Sequence, residues 1–125
     1  MDKKKILVVD DEPQLLAVLK TRLESNNYEV ITAVDGEDGM EKLVKEMPDL
    51  ILLDIKMPKK DGYTFVKEMR ANRDVKGTPV IILTARDKMK DLFAMEGIKE
   101  YIVKPFKSEE LLESISKCLS EKGCS

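Results

Sequence analysis

Short apolar runs separated by longer amphipathic stretches make up the pattern of this sequence. The runs lie at residues 5–9, 28–33, 50–54, 79–84 and 101–103. Runs of four to eight apolar residues bounded by turn residues are typical of strands buried on both faces. The run at 28–33 alternates only partly, which places it nearer an edge of a sheet. The pattern therefore predicts five short strands.

Between the runs, apolar residues recur at the three- and four-residue spacing of amphipathic helices. Pro13 suits the first position of a helix, and Pro48 ends another one. The helical faces are marked by Leu15, Leu16, Leu19 and Leu23, by Met40, Leu43, Val44 and Met47, by Phe65, Val66 and Met69, and by Leu111, Leu112, Ile115 and Leu119, with a weaker fourth helix over 87–96. Strand and helix alternate five times, which predicts an α/β domain with a parallel sheet and helices on both faces.

Polar residues stand where four of the predicted strands end. Asp10 and Asp11 follow the first strand, Asp54 and Thr84 end the third and fourth, and Lys104 follows the fifth. In doubly wound sheets, ligands bind beyond the carboxyl ends of the strands, where the strand order reverses. We therefore expect these side chains to converge in one crevice.

Composition excludes several classes of function. The 125 residues are 42% hydrophobic and 37% charged, which fits one globular domain over 1–125 with a core of about 4–121. The formal net charge is −2 and the basic residues are scattered, so we expect no direct binding of nucleic acid. No apolar stretch approaches the ~18 residues of a membrane span, and no signal peptide is evident, which predicts a cytoplasmic protein.

The sequence contains no histidine, so the chain has no phosphohistidine and none of the commonest metal ligand. Its two cysteines, Cys118 and Cys124, predict neither a disulfide framework nor a metal site. Cys118 falls on the apolar face of the last helix, where we expect a small core residue.

The three acids of the crevice imply either a raised pKa or a bound cation. Two carboxylates about 4 Å apart repel by roughly 4 kcal/mol at an effective dielectric near 20. Oxygen ligands alone at a partly open site suit Mg²⁺, and Lys104 would add a further positive charge. An acid nucleophile, a divalent cation, a lysine and the Thr84 hydroxyl are the parts of a phosphoryl-transfer site, in which Asp54 would form an aspartyl phosphate.

The chain resembles the receiver domain of two-component response regulators over essentially its full length. The motifs that carry the resemblance are Val8-Val-Asp-Asp11, Leu53-Asp54 with Met57-Pro58 and Asp61-Gly62, Thr84-Ala-Arg86, and Lys104-Pro-Phe106. The resemblance implies the flavodoxin-like strand order 2-1-3-4-5, which the stand-alone chemotaxis-type receivers also have. It also implies that a histidine kinase phosphorylates Asp54.

The resemblance also implies a role for each matching residue. Mg²⁺ would be bound directly by Asp11, largely through water by Asp10, and by Asp54 and the backbone carbonyl of Lys56. Lys104 would contact the phosphoryl group, and its bond to the following proline would be cis, as it often is in the family. Thr84 and Tyr101 match the family's switch pair.

Partner binding would then change with phosphorylation. The resemblance implies a downstream protein or a second copy of the chain, docked on the face of the fourth helix, fifth strand and fifth helix. Two departures bear on this face: the stretch from Thr84 to Lys104 is slightly short, and Gly97-Ile-Lys-Glu100 replaces the family's usual Gly-Ala-Asp-Asp. We expect a signalling switch whose only chemistry is its own phosphorylation and dephosphorylation. The chain either acts alone or is part of a longer regulator.

Three other functions fit less well. A haloacid-dehalogenase-type phosphatase also uses an aspartate nucleophile with Mg²⁺, but it needs a second acid two residues later, where this chain has Lys56. A flavodoxin-like electron carrier needs a hydroxyl- and glycine-rich phosphate loop after the first strand, and Asp10-Asp-Glu-Pro13 would repel a phosphate. A degenerate receiver would lack site residues that are all present here.

Overall fold

A computed structural model describes residues 3–55, 61–84, 98 and 100–121 of the chain. The elements follow in the order β1 (Lys5–Val9), α1 (Pro13–Ser25), β2 (Glu29–Ala33), α2 (Gly36–Glu46), β3 (Leu50–Asp54), α3 (Gly62–Arg70), β4 (Val80–Thr84), β5 (Glu100–Val103) and α4 (Ser108–Glu121). The predicted strands agree with these bounds to within one residue at each end. The helix predicted over 87–96 lies outside the described residues. The label α4 therefore belongs to Ser108–Glu121, which is the predicted fifth helix.

All five strands are parallel and lie in the order β2-β1-β3-β4-β5. This confirms the predicted flavodoxin-like fold. The chain reverses direction across the sheet between β1 and β3, because β2 lies on one side of β1 and the later strands lie on the other. Asp54 pairs with Leu83 in the neighbouring strand, and Val9 pairs with Leu53. The ends of β1 and β3 therefore lie side by side at one edge.

The two faces of the sheet are buried by different helices. Alternate strand residues, such as Val8 and Leu52, share one core cluster with the apolar faces of α1 and α4. The intervening residues, such as Leu53, share the other cluster with α2 and α3. β3 and β4 are buried along their whole length, as strands covered on both faces must be. The doubly wound arrangement follows directly from these continuous apolar runs.

Glycine allows α2 to lie close to β1. A Cβ atom on Gly39 would lie 3.0 Å from the Val9 side chain and 3.1 Å from the ring of Phe65. Such contacts are tighter than packed side chains normally make, so the side chains of Val9 and Phe65 would have to shift by a few tenths of an ångström to admit a larger residue.

Cys118 differs from its sequence prediction in one respect. It is a buried core residue, as predicted, and shares a core cluster with residues of α1, but it is disulfide-bonded, although no disulfide framework was expected. The other cysteine of the chain, Cys124, lies outside the described residues. Among the helices that the structure describes, none has the length and apolar character needed to cross a bilayer.

Candidate phosphoacceptor and metal site

Three aspartates meet at the carboxyl edge of the sheet. Asp54 is the last residue of β3, and Asp10 and Asp11 follow β1, the strand beside it. One carboxylate oxygen from each lies within 4.8 Å of the others, a spacing that could hold a metal ion. Asp10 is fully buried and Asp54 is 8% exposed, whereas Asp11 is exposed. The crevice therefore has two acids in its floor and one at its opening.

Lys104 brings a positive charge to the same acids. Its Nζ atom lies 3.2 Å from Oδ2 of Asp10 and 3.3 Å from Oδ1 of Asp54. The backbone holds the lysine in place, because the Lys104 N–H donates to the carbonyl of Thr84 at 2.7 Å. The next peptide bond, Lys104–Pro105, is cis, as the resemblance implied.

Glu12 also contacts this ammonium, although its sequence position indicates only the start of a helix. Its Oε1 atom lies 3.6 Å from Nζ of Lys104, and its side chain is 64% exposed. A helix-opening glutamate directly after two site aspartates is the one sequence signal for this contact. That signal does not determine the direction of a long, exposed side chain.

The pKa values of Asp10 and Asp54 are both raised above the ordinary value of an aspartate. Burial, followed by the charge of Asp10, raises the pKa of Asp54 to about 6 from its ordinary value of 3.8, although Lys104 acts to lower it. Burial also raises the pKa of Asp10, against the hydrogen bond that the Glu12 N–H donates to its Oδ1 at 3.0 Å. Among the described residues, the crevice thus contains more negative charge than Lys104 neutralises.

The pKa of Lys104 is also raised, which for a lysine favours the charged form. Burial acts to lower the pKa of its ammonium, but the nearby charges of Asp10 and Asp54 outweigh burial, and the pKa is raised. Lys104 is therefore fully charged at neutral pH. A permanent cation at this point is suited to contact the oxygens of an incoming phosphoryl group.

A close backbone contact fixes the exit from β3. The Gly62 N–H donates to the carbonyl of Ile55 at 2.8 Å, and Asp61 caps α3 by accepting from the Thr64 N–H. A Cβ atom on Gly62 would lie 2.9 Å from the Ile55 Cα and 3.0 Å from the Asp54 carbonyl oxygen. The start of α3 can therefore lie directly against the chain that carries Asp54 only because residue 62 is glycine.

Thr84 and Tyr101 lie on neighbouring strands near this crevice. Thr84 is the last residue of β4 and is 5% exposed. Tyr101 pairs with Ile82, which lies two residues before Thr84 on β4. Because side chains two residues apart on a strand share a face, Thr84 and Tyr101 lie on the same side of the sheet. The Tyr101 hydroxyl donates to the carbonyl of Ile98 at 3.1 Å. Lys56, predicted to offer a carbonyl ligand, lies outside the described residues.

Comparison with known proteins adds the family context. A family model described as the response regulator receiver domain matches residues 6–116. The chain is 45% identical over 113 residues to a probable transcriptional regulator, ycf27, of Porphyridium aerugineum, covering 89% of this chain and 46% of that protein. The chain thus spans about half the length of the curated relatives that it matches.

Solved structures show the same architecture. The chemotaxis protein CheY4 of Vibrio cholerae superposes with a TM-score of 0.87 at 33% identity, covering 93% of this chain and 98% of that chain. The receiver domain of the sensor histidine kinase PA1611 from Pseudomonas aeruginosa PAO1 has a TM-score of 0.87 at 30% identity, covering 96% of this chain and 100% of that one. That structure has a magnesium ion coordinated in its active site cleft.

Proposed function

Because the chain belongs to the response regulator receiver domain family, we propose that Asp54 is its phosphoacceptor and that phosphorylation switches partner binding. The observation that carries the proposal is the convergence of Asp10, Asp11 and Asp54 within 4.8 Å, with the Lys104 ammonium 3.3 Å from Asp54. As a receiver domain, the chain acts in two-component signalling. Its phosphodonor would be the phosphohistidine of a histidine kinase.

The proposed transfer requires little from the chain beyond position and charge. A carboxylate oxygen of Asp54 attacks the phosphorus, the phosphorus–nitrogen bond to the donor imidazole breaks, and that nitrogen takes up a proton. With a pKa of about 6, Asp54 is mostly ionised at neutral pH and can act as the nucleophile. Lys104 would contact the transferring oxygens, and the donor histidine must come from another molecule because this chain has none.

The donor set of the crevice suits Mg²⁺. Hard oxygen ligands at a partly exposed site match its preference for carboxylates, phosphate oxygens and water. The raised pKa values of Asp10 and Asp54 also indicate negative charge that a cation would neutralise. Asp11 and Asp54 would hold the ion directly and Asp10 largely through water, with the Lys56 carbonyl as a further ligand. Bound there, Mg²⁺ would neutralise charge on the phosphoryl oxygens.

The switch would run through Thr84 and Tyr101. The Thr84 hydroxyl, at the end of the strand beside β3, could turn towards the phosphoryl oxygens once they are present. Tyr101 lies on the same face of the next strand and is half-buried, so its ring could move into space that Thr84 vacates. The expected result is a changed surface at β5 and α4, together with the 87–96 segment, for a downstream protein or a second copy of this chain.

Three further properties belong to the same proposal. The chain would be one receiver domain with a core of about 4–121, working in the cytoplasm. It would have no catalytic activity beyond its own phosphorylation and dephosphorylation. It would not contact nucleic acid directly. The ycf27 relative is described as a probable transcriptional regulator, and this chain corresponds to 46% of it.

The proposed phosphoacceptor can be tested with a small donor. Incubation with acetyl phosphate and Mg²⁺ should add one phosphoryl group that is stable to acid and labile to base, seen by intact-protein mass spectrometry. Asp54→Asn should abolish the addition, and Asp74→Asn, an exposed acid in the loop before β4, should leave it unchanged. Labelling that persists in the Asp54 variant, or that proceeds equally with the metal chelated, would overturn the assignment.

A further inference from the structure

Glu12 stands at a helix N-cap without capping the helix. The described N-caps of α2 and α3 are Asp35 and Asp61, and each side chain accepts a hydrogen bond at 2.8 Å from the backbone N–H three residues later. Glu12 makes no such bond at the start of α1. Short polar side chains are the effective caps, and a glutamate is not among those preferred there. Its side chain is therefore directed to a different contact.

That contact is the Lys104 ammonium. The ammonium lies 3.2 Å from Asp10 and 3.3 Å from Asp54 on the inner side, and 3.6 Å from Glu12 on the outer side. The exposed fraction of the side chain alone rises from 0% for Asp10 through 11% for Asp54 to 64% for Glu12. Lys104 is thus held between two buried carboxylates and one at the mouth of the crevice.

The inner and outer partners differ in one further way. Asp10 and Asp54 belong to the cluster of described acids that could hold a metal ion, and Glu12 does not. A divalent cation among those acids would repel the ammonium and would compete with it for the carboxylates of Asp10 and Asp54. Among the described residues three acids contact Lys104, and of these three Glu12 alone would not share its carboxylate with the cation.

We propose that Glu12 is a positioning residue that retains Lys104 at the mouth of the crevice when a divalent cation is bound between the aspartates. The inference rests on the proposed function, because it assigns Lys104 to the incoming phosphoryl oxygens. Glu12 would act in two ways. In the metal-free protein it draws the ammonium outward and weakens its competition for Asp10 and Asp54, and in the metal-bound protein it supplies the remaining counter-charge.

The test is a Mg²⁺ titration of the purified protein by calorimetry. Glu12→Gln keeps the shape of the side chain and removes its charge, so we expect the Kd for Mg²⁺ to rise about three- to fivefold, equivalent to roughly 0.7 to 1 kcal/mol. If the effect passes through Lys104, the same substitution in a Lys104→Met background should change the Kd by less than about 1.5-fold. A simple loss of negative charge would act equally in both backgrounds.

A second variant removes the need for the Lys104 substitution. Glu12→Asp keeps the charge, but the shorter side chain suits the N-cap of α1 and cannot reach Lys104 as Glu12 does. We expect it also to raise the Kd for Mg²⁺, by at least about twofold. Glu37→Gln is the matched control, because it removes an exposed charge from the first turn of α2, at the same edge of the sheet. It should leave the Kd unchanged.

Two results would overturn the inference. One is an unchanged Kd in Glu12→Gln, and the other is an equal rise with and without Lys104 together with an unchanged Kd in Glu12→Asp. Phosphorylation of the unmodified chain by acetyl phosphate, measured in parallel, tests the proposed function separately. A chain that binds Mg²⁺ and shows the Lys104-dependent effect, but is not phosphorylated, would retain the role of Glu12 and lose that of Asp54.

Discussion

Replacing Asp54 by asparagine should stabilise the metal-free protein at neutral pH, although it removes the proposed phosphoacceptor. Asp54 is 8% exposed and shares its crevice with Asp10 and Asp11. Its pKa is raised to about 6, first by burial and then by the charge of Asp10. A raised carboxyl pKa means that the carboxylate is less stable in the folded protein than in the unfolded chain. Ionisation of Asp54 therefore lowers the free energy of unfolding.

The size and the sign follow from the two pKa values. The carboxyl group of Asp54 has a pKa near 3.8 in the unfolded chain and about 6 in the folded one. The two values differ by about two pKa units, and each unit corresponds to 1.36 kcal/mol. Ionised Asp54 therefore costs at most about 3 kcal/mol of stability above pH 7. Well below pH 3.8 the Asp54 carboxyl is protonated in both the folded and the unfolded state, and the cost vanishes. Between these limits the folded state retains its proton longer, so stability falls as the pH rises.

Urea unfolding followed by circular dichroism measures this cost. With EDTA at pH 7.5, we expect Asp54→Asn to exceed the parent by about 1 to 3 kcal/mol in free energy of unfolding, and at pH 4 the difference should shrink towards zero. Asp74→Asn, the exposed control, should stay within about 0.5 kcal/mol of the parent at both pH values. Adding Mg²⁺ should narrow the difference at pH 7.5, because the ion stabilises the parent more than the variant.

An Asp54→Asn variant that is no more stable than the parent at pH 7.5 would refute the reasoning. That result would mean that the Lys104 ammonium, 3.3 Å from Asp54, fully offsets burial and the charge of Asp10. A difference that stays the same at pH 4 would also count against it, because the gain would then come from packing or hydrogen bonding rather than from charge.

Two other predictions concern the switch and the backbone of the site. Thr84→Ala should leave phosphorylation of Asp54 largely intact but remove most of the phosphorylation-dependent gain in partner binding or dimerisation, a coupling of ~1–3 kcal/mol. Tyr101→Ala should do the same, and a full response to phosphorylation in both variants would contradict the mechanism. Gly62→Ala should lower the free energy of unfolding by ~1–3 kcal/mol in a urea titration, because its Cβ would lie 2.9 Å from backbone at the end of β3. Gly77→Ala, with nothing within 4 Å of its Cβ, is the matched control.

The sequence predicts the sheet well because burial on both faces leaves a direct signal. A strand such as β3, covered on two sides, must be apolar throughout, and its end is marked by the first acid, Asp54. Because parallel strands end at the same edge, the shared crevice of Asp10, Asp54 and Lys104 also follows from residue order alone. Elements and their facing ends are thus encoded locally.

Contacts that depend on side-chain direction are not encoded in this way. Glu12 reaches Lys104 because of where two distant segments come together, and no periodicity of α1 reveals it. The position of Cys118 on the apolar face of its helix predicts that this residue is buried. It does not predict that Cys118 forms a disulfide. The pKa of Asp54 also depends on the depth of the crevice, which is known only once the strands are in register.

The late position of Lys104 in the sequence has a consequence for the order in which the site is made. The acids of the crevice lie in the first half of the chain, and the hydrogen bond from Lys104 to Asp10 joins residues 94 positions apart. A ribosome therefore releases all three aspartates well before the lysine. The pair cannot form until Lys104 has been synthesised, and contacts between residues so far apart in sequence form slowly. A partly synthesised chain would have the acids without their cation, so the ability to accept a signal would arise last, as a property of the finished domain.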